Sequence, residues 1–524
     1  MDYLIHHMLQ TSANRFPDKE ALVHGNTRLT YHELLRKASG LASGLRRAGL
    51  ERSDRIGIYL DASVEQALSI FAVSKAGGVF VPINTLLLAD QVAHIGNDCG
   101  IRGLITTRGK LALVESVIKQ IPSLEFVVLA DTGASIEDVP IRTYDYDELC
   151  RLDATEAGRD VAIEKDLAAI LYTSGSTGKP KGVMLSHAQV MAGSSIVSTY
   201  LGITASDRIL AILPFSFDAG LNQLMTAIQQ GGTCLPMTFV FAREIVQACR
   251  KERITGLAGV PTLWSLIAQP NSSLTEGSLP DLRYITNTGG AMPQAVLAKL
   301  RQLLPTTRIF LMYGLTEAFR STYLPPEELD RRPTSMGKAI PDTEILVVNE
   351  HGQPCQPGEV GELVHRGPTV SMGYWGHPDL TDRVLRRHPF LPAEVGDGEK
   401  VCYSGDLVKM DEDGFLYFVG RRDTMIKSSG FRISPTEVEE ALFQSGKLRG
   451  AAVIGLPDEL LGQSIKAFVA LRDGESCDAA ELIAFCAARL PRYMVPKDVE
   501  FLPELPRTSS GKVDYQALRR REGL

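Results

Sequence analysis

The stretch Tyr172-Thr173-Ser174-Gly175-Ser176-Thr177-Gly178-Lys179-Pro180-Lys181-Gly182-Val183 decides how this chain is read. Its twelve residues hold three glycines, four aliphatic hydroxyls and two lysines. The apolar run Leu167 to Tyr172 before it reads as a buried strand. After it, Ser186-His187-Ala188-Gln189 has the form of a helix capping box, opening a helix to about Leu201. The expected order is strand, glycine-rich loop, helix. That layout offers backbone N–H groups, hydroxyls and lysine charges to a polyphosphate. It is not a Walker loop, because only Ser176 and Thr177 separate Gly175 from Gly178-Lys179, and Pro180 follows. A plain Gly/Ser linker would have no need of Lys179 and Lys181 around a proline between a strand and a capped helix.

The chain that carries this loop is 524 residues long, too long for one compact core. Its 44% hydrophobic and 22% charged content are those of an ordinary globular protein. With 55 basic and 62 acidic residues the net charge is −7, which gives no basic excess for nucleic acid or a membrane surface. The eight cysteines are scattered without a Cys-x-x-Cys, so neither a zinc site nor a disulfide framework is expected. A reducing cytoplasm is the expected location. The N-terminus lacks a basic region followed by a long apolar core, so no signal peptide is read there. Val64 to Ile83 is interrupted by Glu65, Gln66, Lys75 and Pro82, and reads as helix, Gly77-Gly78 turn and strand rather than a membrane span.

Residues 1 to about 340 alternate helical patterns with short β-rich runs, the mark of parallel α/β layers. From about Ile345 to Phe418 short β-like runs between Gly, Pro and Asp turns suggest a small β-rich subdomain. A compact α/β unit of about a hundred residues follows. The expected architecture is therefore α/β: a large N-terminal domain of two layered α/β subdomains with a small β-rich subdomain, then a small C-terminal α+β domain. The division is placed at 1–422 and 423–524, near Asp423.

Several constellations carry chemistry. Pro214 to Gly220 follows the strand Ile209 to Leu213, where α/β folds place ligand groups. Within it Phe217 is either a pocket wall or plain core. Asp218 either faces a pocket, where it would hold an ammonium group and oppose a plain fatty tail, or caps the following helix. Asn287 to Pro293 contains a second glycine turn, Gly289-Gly290-Ala291. In Met312-Tyr313-Gly314-Leu315-Thr316-Glu317 an aromatic offers a stacking face, Thr316 a hydroxyl for a phosphate and Glu317 a hard oxygen ligand for Mg²⁺. In Tyr403-Ser404-Gly405-Asp406-Leu407 a carboxylate follows a tight glycine, which suits a vicinal diol.

The loop at 172–183 closely resembles the signature loop of the AMP-forming adenylating enzymes: acyl-CoA synthetases, firefly luciferases and the adenylation domains of peptide synthetases. The turn Ala76 to Pro82, the motifs around Gly289, Tyr313 and Asp406, Gly420-Arg421-Arg422-Asp423 and Pro506-Arg507-Thr508-Ser509-Ser510-Gly511-Lys512 resemble that family too, in its order. The resemblance covers essentially the whole chain.

It implies that Thr173, Ser174, Gly175, Ser176, Thr177, Gly178, Lys179 and Lys181 hold the β- and γ-phosphates of ATP. Gly289, Gly290, Ala291, Tyr313 and Gly314 lie against adenine, and Phe217, Asp218 and Gly290 line the acyl pocket. Thr316 meets the α-phosphate, Glu317 binds Mg²⁺, Asp406 takes both ribose hydroxyls, and Arg421 contacts ribose or phosphate. Lys512 is the catalytic lysine, whose charge offsets repulsion between carboxylate and α-phosphate. Asp423 is the hinge of a mobile C-terminal domain. Ser429, Gly430 and Arg432 flank the coenzyme A tunnel. Peptide-synthetase adenylation domains have Asp at the position of Asp218, pairing with an amino group, but Ala219-Gly220-Leu221-Asn222 does not continue as theirs usually do.

The implied activity is ATP-dependent formation of an acyl-adenylate, then of a thioester with coenzyme A. A stand-alone enzyme loading an amino acid or acyl group onto a separate carrier protein is the alternative. No carrier domain is expected within this chain, which ends ten residues after Asp514. Expected partners are the acid, ATP and coenzyme A, with a carrier protein and a homodimer as further options.

Overall fold

The computed structural model describes residues 2–131, 141–153, 159–174, 180–422, 424–428, 431–458, 461–508 and 511–524, with backbone alone at 174, 427, 431, 432 and 462. The apolar runs become buried strands and the amphipathic runs become helices around them. An eight-stranded sheet has the order Gly373–Tyr374, Pro180–Ser186, Leu167–Ser174, Val79–Pro82, Arg55–Tyr59, Ile101–Thr106, Phe126–Leu129, Arg142–Asp145. Its middle strands pair in parallel, as their continuous apolar runs require. Between Arg55–Tyr59 and Val79–Pro82 runs the helix Val64–Ala76. Ser63 caps it by accepting from the Gln66 N–H, and it ends at Gly77 in the left-handed region. Among the described residues no helix is long and apolar enough to cross a membrane.

A nine-stranded sheet follows the order Lys338–Ala339, Thr322–Leu324, Arg308–Tyr313, Tyr284–Asn287, Gly256–Gly259, Arg208–Ala211, Thr233–Pro236, Glu20–His24, Thr27–Thr30. The six strands from Arg308–Tyr313 to Glu20–His24 run parallel. The helices Ile5–Arg15, Tyr31–Arg47, His187–Leu201 and Asp218–Gln230 supply much of one large core that draws on both sheets. Tyr31 and Phe215 are fully buried in it, each burial stabilising the fold by about 1.5–3 kcal/mol.

A five-stranded sheet is built from Glu344–Val348, Val360–Arg366, Lys400–Met410, Leu385–Arg387 and Leu416–Arg421. A second five-stranded sheet joins Phe431–Ile433, Ile426–Ser428, Gly462–Leu471, Leu448–Asp458 and Asp498–Phe501. The helices Pro435–Phe443 and Ala479–Ala487 pack their apolar faces on a core of its own. The architecture is mixed α/β with a large N-terminal part and a small C-terminal α+β unit.

Two compact units are distinguished. One is built mainly from Met1–Gly175, Lys179–Ile345 and His365–Cys402, the other mainly from Leu346–Val364 and Tyr403–Leu524. This grouping draws its line earlier in the chain than the 422/423 division read from the sequence, and Asp423 lies outside the described residues.

Candidate active site

Within the larger unit, parallel strands converge on one edge. The turn Thr288-Gly289-Gly290-Ala291 leaves the end of Tyr284–Asn287, Gly314 to Glu317 leaves Arg308–Tyr313, and Pro214 to Phe217 follows Arg208–Ala211. All three strands run in the same direction in one sheet, so these segments share its carboxyl edge, where such sheets bind ligands. At the glycine turn Gly289 adopts φ +78°, while the Asn287 side-chain amide donates to the Gly290 carbonyl at 2.8 Å. Gly289, Gly290 and Ala291 are exposed.

Thr316 and Glu317 form a single 3₁₀ turn directly after Gly314 and Leu315. Glu317 is half-buried, and its Oε1 accepts a 2.5 Å hydrogen bond from the Tyr374 hydroxyl. The Ser371 N–H donates to the Glu317 carbonyl at 2.8 Å, and the Thr369 hydroxyl to that of Ala318 at 3.0 Å. The next two residues after Ala318, Phe319 and Arg320, take φ values of +25° and +86°, a conformation that costs a non-glycine residue about 1–3 kcal/mol. Gly314 makes that fold-back possible, because a Cβ there would lie 2.8 Å from the Arg320 Cα. Tyr374, Thr369, Thr288 and Arg320 were not singled out from the sequence. Only the unusual backbone after Glu317 marks Arg320, and no sequence spacing marks Tyr374, fifty-seven positions from its partner.

The glycine-rich stretch departs from the expected order. A strand, Pro180–Ser186, stands between the loop and the helix His187–Leu201, pairing antiparallel with Leu167–Ser174. The helix His187–Leu201 therefore begins only after this strand and not directly after the glycine-rich stretch, so its dipole is not what that stretch offers to a phosphate. Residues Gly182 to Leu185 become strand because they are sandwiched between Leu167–Ser174 and Gly373–Tyr374. Thr173 and Lys181 are opposite one another across the hairpin. Gly175, Ser176, Thr177, Gly178 and Lys179 lie outside the described residues. The capping box itself is present, with Ser186 and Gln189 each bonding the other's backbone N–H. At the strand, the Tyr172 hydroxyl donates to Asp98 at 2.6 Å, and burial pushes its pKa upward.

Phe217 occupies the N-cap position of the helix Asp218–Gln230 without a side-chain cap bond, and both Phe217 and Asp218 are half-buried. Asp218 therefore does not cap the helix through its side chain. It sits in the first turn, where the dipole favours an acid.

In the smaller unit, Asp406 and Arg421 are directly paired across antiparallel strands, with Arg421 Nε 3.4 Å from Asp406 Oδ1. Asp406 is buried, and the Ser404 hydroxyl accepts from its N–H at 3.1 Å. Glu362, also absent from the sequence reading, accepts from the Gly405 N–H at 3.0 Å and from Arg422 at 2.9 Å, fixing the turn around Asp406. Lys512 is exposed, and its carbonyl accepts from the Thr508 N–H at 2.7 Å in a tight turn closed by an Arg507–Val513 bridge. Ser429 and Gly430 lie outside the described residues, and Arg432 is described as backbone in the strand Phe431–Ile433.

His6, His7 and Asp160 bring possible metal-ligand atoms within 4.8 Å of one another. The His7 Nδ1 accepts from the Tyr3 N–H at 3.2 Å, which leaves the proton of a neutral ring on Nε2, donated to Asp160 at 2.8 Å. That is a hydrogen-bonded clamp on the N-terminal helix rather than a lone pair aimed at a cation.

The pattern of AMP-binding enzymes matches residues 9–375, and that of the AMP-binding enzyme C-terminal domain matches residues 437–512. The chain belongs to the AMP-binding enzyme family. It is 35% identical to a feruloyl-CoA synthase of an Amycolatopsis species over 518 residues, covering 98% of this chain and 97% of that protein. It is 31% identical to tyrocidine synthase 1 of Brevibacillus parabrevis over 519 residues, again 98% of this chain but only 44% of that longer protein. The structure of the o-succinylbenzoate coenzyme A synthetase from Bacillus subtilis with ATP and magnesium ion superposes with a TM-score of 0.83 at 26% identity, covering 98% of this chain and 99% of that one.

Proposed function

We propose that this member of the AMP-binding family is an AMP-forming acid–thiol ligase that uses ATP, Mg²⁺ and coenzyme A. The carrying observation is the shared carboxyl edge: the Pro214–Asp218 segment, the Gly289–Gly290 turn and the Tyr313–Glu317 segment meet there, with the Glu317 carboxylate held by Tyr374.

A carboxylate acylates poorly because its oxygen leaves badly. In the first half-reaction a carboxylate oxygen attacks the α-phosphorus of ATP, the α–β phosphoanhydride bond breaks and pyrophosphate leaves. In the second, the thiol sulfur attacks the acyl carbon, loses its proton, and AMP departs with the carboxyl oxygen. Thr173 and Lys181 at the hairpin, with the loop between them, hold the phosphates that leave. Gly289 to Ala291, Tyr313 and Gly314 hold adenine. Thr316 donates to the α-phosphate, and Asp406 with Arg421 holds ribose.

The donor set at Glu317 fits a hard cation: Tyr374 occupies Oε1, and Oε2 remains as an oxygen ligand. Bound there, Mg²⁺ neutralises charge on the phosphates. Lys512 brings an ammonium to the meeting of two anions in the first half-reaction. Rotation about Asp423 then exchanges Lys512 for the Ser429-Gly430-Phe431-Arg432 segment beside the thiol. A reducing, cytoplasmic setting suits cysteines that are all free.

A second reading, transfer to a separate carrier protein, draws on Asp218. This half-buried carboxylate caps nothing and has no partner among the described residues, as a site for an ammonium group requires. ATP–pyrophosphate exchange across fatty, aryl, dicarboxylic and amino acids, followed by thioester formation with coenzyme A or a carrier protein, tests both. Exchange with amino acids alone would remove the coenzyme A reading.

A further inference from the structure

Arg320 is 4% exposed, and among the described residues no carboxylate lies within ion-pair distance of its guanidinium. Nη1 donates to the Thr288 hydroxyl at 3.0 Å, and Nε has no hydrogen-bond partner. A buried charge is costly unless it is paired and hydrogen-bonded, and one neutral hydroxyl does not meet that need. The backbone holds this side chain in place at a cost, through positive φ at Phe319 and Arg320 and the close approach of Gly314.

Three further side-chain atoms on segments at the ends of the nine-stranded sheet's parallel strands share the deficit. Ser216 Oγ, Asn222 Nδ2 and Asn287 Oδ1 are buried without hydrogen-bond partners. Ser216 belongs to the segment after Arg208–Ala211, Asn222 to the helix that follows, and Asn287 to the end of Tyr284–Asn287. Arg320 closes the excursion that begins at the end of the neighbouring strand Arg308–Tyr313. An apolar acyl pocket would leave the donors Arg320 Nε, Ser216 Oγ and Asn222 Nδ2 unsatisfied, whereas acceptor oxygens on a ligand match donors; Asn287 Oδ1, an acceptor, needs a donor instead.

We propose that Arg320 is a specificity-determining residue that binds a second carboxylate carried on the acid substrate, so that the enzyme's substrates are dicarboxylic acids activated at one end. With Nη1 committed to Thr288, the guanidinium edge bearing Nε is the one presented to that carboxylate, and a side-on fork of this kind matches a carboxylate in shape as well as charge. The inference rests on the acid-activating reading of the same site.

The experiment is ATP–pyrophosphate exchange with dicarboxylic acids and monocarboxylic acids of the same carbon skeleton, aliphatic and aryl, using wild type, Arg320→Met and Arg320→Lys. Wild type is expected to favour the diacid by at least roughly tenfold in kcat/KM. Arg320→Met is expected to erase that preference through KM for the diacid while monoacid exchange stays within about threefold, and Arg320→Lys to restore part of it. Good exchange by wild type with no diacid preference overturns the proposal and leaves the acid-activating reading standing. Equal loss on both acid classes in a folded Arg320→Met protein also overturns it, because Arg320 would then serve the reacting carboxylate or the nucleotide. No exchange with any acid overturns both readings. If Arg320→Met does not fold, absence of a diacid preference in wild type still overturns the proposal, and an unchanged preference in Arg320→Lys does so as well.

Discussion

Tyr374 joins two parts of the proposed nucleotide site through one side chain and one backbone: its hydroxyl donates to Glu317 at 2.5 Å, and its main chain pairs with Val183 in the strand that follows the glycine-rich stretch. The Trp375 N–H extends that pairing to the Gly182 carbonyl at 2.8 Å. A carboxylate oriented this way has one oxygen fixed and the other directed by it. Tyr374→Phe is therefore expected to raise the Mg²⁺ concentration needed for half-maximal ATP–pyrophosphate exchange by about tenfold, with little change in stability. A magnesium titration of exchange checks this, and an unchanged midpoint would show that the hydroxyl does not position Glu317.

Lys512 lies in a tight turn with its side chain exposed. Lys512→Ala is expected to lower adenylation by at least about a hundredfold while leaving thioester formation from supplied acyl-adenylate intact. Separate assays of the two half-reactions measure it. Equal loss in both would contradict the exchange of Lys512 for the 429–432 segment.

Asp218 stands in the first turn of its helix without capping it. Asp218→Ala should cost only about 0.3–1 kcal/mol of stability, the loss of a favourable dipole contact. Activity on plain monocarboxylic acids should survive, and activity on any amino-bearing acid should fall. Collapse on plain acids, read from exchange rates, would assign Asp218 to acyl orientation instead.

Gly314 faces backbone rather than a movable side chain, since its added Cβ would meet the Arg320 Cα at 2.8 Å. Gly314→Ala should destabilise the protein by about 1–3 kcal/mol and displace Thr316 and Glu317. Urea unfolding and exchange kinetics together report both effects; a neutral result in both would mean the turn accommodates a methyl group.

Glu439 is buried in the smaller unit, its Oε1 accepting from the Tyr515 hydroxyl at 2.7 Å and the Val453 N–H at 2.8 Å. Burial, opposed by these two bonds, raises its pKa from 4.5 to about 7. A raised carboxyl pKa means that the folded protein keeps a proton the unfolded chain has lost. Stability from this group is therefore full below the unfolded value, falls as pH rises between about 4.5 and 7, and is lowest above that, by an amount on the order of a few kcal/mol. Glu439→Gln keeps the acceptor and removes the proton equilibrium. It should gain melting temperature over wild type at pH 8 and little at pH 5. An equal shift at both pH values would mean Glu439 is already ionised in the folded state.

The local motifs were legible because each needs its residues close together in the chain. The glycine turn at Gly289, the Tyr313–Glu317 hexapeptide with Met312, the Gly405-Asp406 turn and the Ser186–Gln189 capping box could each be read within a few positions. The apolar runs likewise gave the helix Val64–Ala76 and the strand Val79–Pro82 to within a residue or so. The strand Pro180–Ser186 was missed because it exists by pairing with Leu167–Ser174 and Gly373–Tyr374, the latter nearly two hundred residues away.

By itself the sequence determined the layered α/β class and the short motifs to which the proposed phosphate, adenine, ribose and carboxylate roles are assigned, since hydrophobic periodicity and turn chemistry are local properties. Only the tertiary structure decided what supports those segments. Parallel pairing aligned three strand ends into one edge. Tyr374 reached Glu317, Glu362 reached Gly405, and Arg320 was buried against Thr288 without an anionic partner among the described residues. Contacts between residues tens of positions apart are set by how strands order themselves in a sheet, and no spacing along the chain records that order.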